Sequence, residues 1–156
     1  MKNFQNKAID SDSRSRELQA PSVTEYMTPA SKLITFTPET EIKEVIISLL
    51  ANRITGAPVL RDNGEVIGLI DDKDCLKVLH GAAYYNEPSS KGIVKQYMSN
   101  VMRTVNADVD IVEVADIFLH SPYKRLMVLD DDGKLLGQIS RRDILRAIKD
   151  LKPSTW

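Results

Sequence analysis

The sequence predicts an α+β protein made of two copies of one β-α-β-β-α unit, and three observations predict it. ITFTPETEIKEVIISLL (34–50) aligns with RTVNADVDIVEVADIFL (103–119), and APVLRDNGEVIGLIDDKDCLKVL (57–79) with LMVLDDDGKLLGQISRRDILRAI (126–148), all at one offset of 69 residues without a gap. Apolar residues recur in both copies at helical spacing. In both copies, two short apolar runs flank a polar turn that ends in glycine. Gly64 matches Gly133, Gly68 matches Gly137, and Asp74 matches Asp143.

Each element follows in order. A short strand is expected at 34–36 and again at 103–105. Thr37-Pro38 offers a helix start, because proline in the first turn lacks only an N–H that has no partner there. Ile42, Val45, Ile46, Leu49 and Leu50 then form an apolar stripe of about three turns, repeated by Ile111, Val114, Ala115, Phe118 and Leu119. The runs APVL and EVIGLI, like LMVL and KLLGQI, read as hairpins closed by Asn63-Gly64 and Asp132-Gly133, where glycine reaches positive φ. Second helices are expected over 72–80 and 141–150. Ahead of the main register, VTEYM (23–27) matches VKQYM (94–98) at an offset of 71, two residues out of step.

The expected division is an N-terminal arm (1–20), a first repeat (21–80), a connector rich in Ser, Pro and Gly (81–92), a second repeat (93–150) and a tail (151–156). One small sheet with two helices leaves a face uncovered, and the natural cover is the other copy. The expectation is a pseudo-twofold pair with clefts between the repeats.

A net charge of −1 over 156 residues gives no overall attraction to nucleic acid or to an anionic membrane, so nucleic acid is not an expected partner. Cys75 is a lone cysteine, and His80 and His120 have no zinc-like spacing, so neither a disulfide nor a metal is expected. With no long apolar run and no signal segment, the expected location is cytoplasmic, with no membrane association.

YMT (26–28), TGAPVL (55–60) and NGEVIGLIDDKD (63–74), with their counterparts YMS (97–99), KRLMVL (124–129) and DGKLLGQISRRD (132–143), resemble paired cystathionine-β-synthase (CBS) domains, the Bateman module. The resemblance covers residues 22–149. It implies a regulatory module that binds AMP, ADP or ATP, with S-adenosylmethionine less favoured, in clefts between the repeats. It also implies a homodimer. Because the sequence holds the module alone, a separate regulated protein is expected.

In SRRD (140–143), Ser140 and Asp143 have the spacing of a helix capping box. The start of that helix also suits a phosphate, through its free N–H groups and the helix dipole. The resemblance implies that Asp143 holds a ribose and Ser140 helps at the phosphate. Thr104 and the backbone at Leu126 and Met127 then frame the adenine, and Lys124, Arg125, Arg141 and Arg142 are the cations available to phosphate. A weaker second site is expected around Asp74, Thr35, Arg53, Thr55, Gly56, Ala57 and Pro58. There Asp71 replaces the hydroxyl residue, and one carboxylate near a phosphate costs about 1–3 kcal/mol.

No nucleophile with a placed base and no G-x-x-x-x-G-K-[ST] loop is found, so the chain is not expected to be an enzyme. The alternative to a nucleotide-binding regulator is a structural dimerisation module with vestigial clefts.

Overall fold

A computed structural model describes residues 20–84 and 92–151. The arm expected over 1–20, the connector over 81–92 and the tail over 151–156 lie largely outside them. The chain opens with helix α1 (Val23–Tyr26) and strand β1 (Thr28–Pro29). The first unit follows as α2 (Ile42–Asn52), β2 (Gly56–Leu60), β3 (Val66–Asp71) and α3 (Asp72–Tyr84). Helix α4 (Val94–Tyr97) leads into β4 (Thr104–Asn106), α5 (Ile111–Leu119), β5 (Arg125–Leu129), β6 (Leu135–Ser140) and α6 (Arg141–Asp150). This is the mixed α+β architecture that the repeat predicts.

The helical stripes face two matching cores, except that Leu50 and Leu119 at their ends stay exposed. Ile42, Val45 and Leu49 of α2 pack with Val59 and Ile70, while Ile111, Val114 and Phe118 of α5 pack with Leu126 and Ile139. Each fully buried aliphatic side chain contributes roughly 1.5–3 kcal/mol. Both hairpins turn through a glycine at positive φ, +87° at Gly64 and +79° at Gly133.

Two expectations need correction. The strand at 34–36 reduces to one parallel bridge, in which Phe36 N–H donates to Pro58 O (3.0 Å) and Phe36 O accepts from Leu60 N–H (2.8 Å). Helix α2 begins at Ile42 rather than at Thr37-Pro38. Residues 38–42 receive another segment instead: Lys95 N–H donates to Pro38 O, Val94 N–H to Thr40 O and Ile42 N–H to Gly92 O, each at 2.9 Å.

That segment belongs to the second repeat, and the exchange is mutual. Val23 N–H donates to Val109 O and Ile111 N–H to Pro21 O, both at 3.0 Å. Val23 is buried in the core of the second unit, and Val94 in the core of the first. Strand β1 pairs antiparallel with β6, giving a sheet ordered β1-β6-β5-β4. Correspondingly, Ser99 bridges to Leu69 in β3. The VTEYM and VKQYM segments therefore each complete the other repeat, which accounts for their separate offset.

The units also meet directly. The hairpin tips pair at Glu65 and Lys134, and Val66, Met127 and Leu135 form a shared cluster with Leu33, Leu60, Leu69 and Met102 around it. Gly68 and Gly137 let the exchanged chains come close. A Cβ on Gly137 would lie 2.6 Å from Thr28 O and 2.7 Å from Met27 Sδ, and one on Gly68 would lie 2.6 Å from Ser99 O.

Gly137→Ala is therefore expected to push β1 off β6 and to lower stability by about 1–3 kcal/mol, read as a lower urea midpoint. An unchanged midpoint would contradict this account of the exchange.

Candidate functional site

The two second helices begin alike. At α6, Ser140 N–H and Oγ–H donate to Asp143 Oδ2 (2.8 and 3.0 Å), and Asp143 N–H returns a bond to Ser140 Oγ at 3.3 Å. At α3, Asp71 N–H donates to Asp74 Oδ2 (3.1 Å), and Asp74 N–H to Asp71 Oδ1 (2.8 Å). Both carboxylates thus lock the first turn through one oxygen. The other oxygen faces a cation three residues on: Arg146 at 2.7 Å from Asp143, and Lys77 at 3.2 Å from Asp74. Asp143 is only 13% exposed whereas Arg146 is 54% exposed, so the arginine can leave more easily than the carboxylate.

A cleft of about 500 Å³ opens at the start of α3. Asp71, Asp72, Lys73, Asp74 and Lys77 come from the first unit. Pro122, Tyr123, Lys124 and Arg125 come from the second. Lys124 and Arg125, expected with Asp143, line the cleft of Asp74, while Arg125 also stands opposite Ser140 in the β5-β6 pair. The cause is the pseudo-twofold, which sets the strand-entry segment of one unit against the second helix of the other. Three carboxylates in this cleft face four cations, so it lacks the net negative charge that DDKD alone suggests.

Arg125 sits where the two entry segments meet. Its Nη2–H donates to Thr55 Oγ1 (2.7 Å), and Nη1 occupies the space that a Cβ on Gly56 would take. Gly56 is the counterpart of Arg125 at the 69-residue offset, so the missing side chain on one unit admits the guanidinium of the other. Burial lowers the pKa of Arg125, and Asp71 and Asp72 oppose that shift.

The remaining expected residues scatter more. Leu126 and Met127 are fully buried, and Met127 N–H is taken by Arg103 O (3.1 Å), which leaves it unavailable to an adenine. Thr104 lines a separate recess of about 490 Å³ with Arg103, Asn106 and Asp130. Thr35 is half-buried beside Phe36. Ala57 and Pro58 are buried within β2 and present no side chain to the cleft. Arg53 is exposed at the C-terminus of α2, in the left-handed conformation (φ 53°). Arg141 donates to Tyr123 O at 3.2 Å, and Arg142 is exposed at the start of α6. Sequence reasoning missed Lys73, Lys77 and Arg146, although helical spacing sets Lys77 and Arg146 three residues beyond their carboxylates, and it missed Tyr123, which only the folded pairing of units brings to Asp74.

On the outer face, α2 and α3 flank an apolar groove of about 880 Å³ lined by Ile46, Leu50, Cys75, Leu76 and Leu79. Burial, with Asp74, Asp71 and Asp72 nearby, pushes the Cys75 thiol up to about 11, which makes it unreactive at neutral pH. Among the described residues no three His, Cys, Asp or Glu side chains are grouped to hold a metal, and no helix is long and apolar enough to cross a membrane.

A duplicated unit with exchanged opening segments and matching capped starts to its second helices defines a tandem repeat protein, and the comparisons name its class. The chain belongs to the CBS domain family, whose model matches residues 23–81 and 94–150. The chloroplastic CBS domain-containing protein CBSX1 of Arabidopsis thaliana is 28% identical over 156 residues, covering 85% of this chain. CBSX2 of the same plant is 27% identical over 86% of this chain. The chain spans 66% of the length of each of these relatives. The crystal structure of CBSX2 superposes with a TM-score of 0.74 at 26% identity, covering 86% of this chain and all of that one. CBSX2 in complex with AMP superposes at 0.73, also at 26% identity, covering 83% and 96%.

Asp74 is buried, and burial raises its pKa above the ordinary 3.8, against the lowering effect of its bonds to Asp71 N–H and Lys77. Stability from the neutral carboxyl is present below 3.8 and is lost as pH rises through the raised folded value. Asp74→Asn, which cannot ionise, is expected to gain stability relative to the wild type between about pH 3 and about pH 7. Urea melts across that range test this, and a gain in the opposite direction contradicts it.

Proposed function

We propose that this chain is a non-catalytic regulatory module that takes AMP, ADP or ATP between its paired CBS units and signals to a separate protein in the cytoplasm. The observation that carries the reading is the match, along most of both chains, to CBSX2, a relative solved with AMP. The local chemistry supports it. Asp143 is a semi-buried carboxylate whose Oδ1 can exchange an exposed arginine for the two hydroxyls of a ribose. Ser140, the free N–H groups of the first turn of α6, and Arg141 and Arg142 suit a phosphate. Asp74 offers the second sugar carboxylate, and Lys124 and Arg125 supply the charge that its own unit lacks. These cations favour a phosphate-bearing ligand over S-adenosylmethionine.

The binding energy acts on the whole pair. A ligand bridging two units stabilises their joined state, by about 2.7 kcal/mol at a hundredfold excess over Kd. It biases any partner that distinguishes the joined state from a looser one.

A second reading, an assembly module with vestigial clefts, is favoured by one observation. The counterparts Leu50 and Leu119 are 75% and 80% exposed, and a second pair of counterparts, Leu76 and Leu145, are 66% and 65% exposed. Each unit therefore presents a matching apolar helix face, suited to a homodimer. Both readings include that dimer, and only the first requires ligand.

Calorimetric titration with AMP separates them. The wild type is expected to bind with one stronger site, and Asp143→Ala to weaken that site at least about tenfold, while Asp74→Ala leaves it in place. Binding unaffected by Asp143→Ala contradicts the site assignment. A concentration-dependent dimer with no response to AMP, ADP or ATP favours the assembly reading.

A further inference from the structure

We propose that Gln138 reads the base of a nucleotide held at Asp143, by pairing its amide with the amino edge of adenine. This rests on the nucleotide reading above and adds a specificity-determining residue to it. The Oε1 of Gln138 is sealed from solvent and meets no hydrogen-bond partner among the described residues. In β6, Gln138 stands directly opposite Thr28 of β1 and Met127 of β5. Directly opposed residues share a sheet face, and Met127 is fully buried in the cluster that joins the two units. The amide therefore looks toward the other unit rather than toward its own helices; Gln138 as a whole is only partly buried, and its amide turns out of the sealed position to meet a base.

Ser140 lies two residues further along β6 on the same face, about 7 Å away, and is bonded to Asp143. That spacing is on the scale of a purine ring, with the sugar at the carboxylate and the base at the amide. The counterpart of Gln138 at the 69-residue offset is Leu69, which packs against the same joining cluster and lines the Asp74 cleft. Leucine thus satisfies the packing at this position. An amide there leaves a polar atom buried and unpaired, which destabilises the empty protein unless a ligand completes it. The glutamine amide matches the adjacent N6 donor and N7 acceptor of adenine with two hydrogen bonds. Hypoxanthine has a carbonyl in place of the amino group and loses the donor.

The test is calorimetric titration of the full chain and its Gln138→Leu variant with AMP and IMP, with a thermal melt of each empty protein. The wild type is expected to favour AMP over IMP by roughly tenfold or more. Gln138→Leu is expected to lose that preference through weaker AMP binding, and to melt higher when empty. An unchanged AMP-to-IMP ratio in the variant, with the wild type binding AMP, overturns this inference alone. A wild type that binds neither nucleotide overturns the parent reading and this one with it.

Discussion

The exchange of opening segments between the two repeats is the constraint from which the rest of the structure follows. Val23 fills the core under α5 and α6, and Val94 fills the core between α2 and α3. The same segments supply edge pairing, Thr28–Pro29 beside β6 and Ser99 beside Leu69. Neither unit has a complete core or a complete sheet edge without a piece of the other. Unpaired sheet edges and half-covered cores are costly, so the interlocked pair is the stable species. The cleft at the start of α3 lies between units for the same reason: the chain that closes each core also brings the units within reach of one another.

Electrostatics are distributed by that geometry rather than by sequence neighbourhood. DDKD looks hostile to an anion as a string of letters. In the fold it receives Lys124 and Arg125 from across the pseudo-twofold, with Gly56 making room for the guanidinium. SRRD keeps its own arginines, Arg141 and Arg142, both exposed at the start of α6. The two helix starts are built on one plan with different charge, DDKD mixed and SRRD with two arginines. That difference is why the proposed reading assigns unequal affinity to the two candidate sites.

Much of the fold was legible because periodicity and duplication are local signals. The stripes at Ile42–Leu50 and Ile111–Leu119, the Asn63-Gly64 and Asp132-Gly133 turns, and the capping pair Ser140 and Asp143 each involve residues within a few positions of one another. The exchange was not legible. Its one trace was the 71-residue offset of VTEYM and VKQYM against 69 elsewhere. Missing it placed the start of α2 at Thr37, where the chain is instead receiving Val94 and Lys95. It also grouped Lys124 and Arg125 with Asp143, because side chains adjacent in a copy were taken to serve that copy. Gln138 went unnoticed because a glutamine in an alternating strand reads as solvent-facing, and only the chain packed on β6 from outside its own unit seals its Oε1.

If the interlock is the source of both stability and ligand response, the pair must unfold as one body and respond as one body. Differential scanning calorimetry of the full chain with increasing AMP measures both at once. The account predicts a single transition with equal calorimetric and van't Hoff enthalpies, moving upward in one piece as nucleotide is added. Two separable transitions, or a nucleotide shift confined to part of the endotherm, would contradict it.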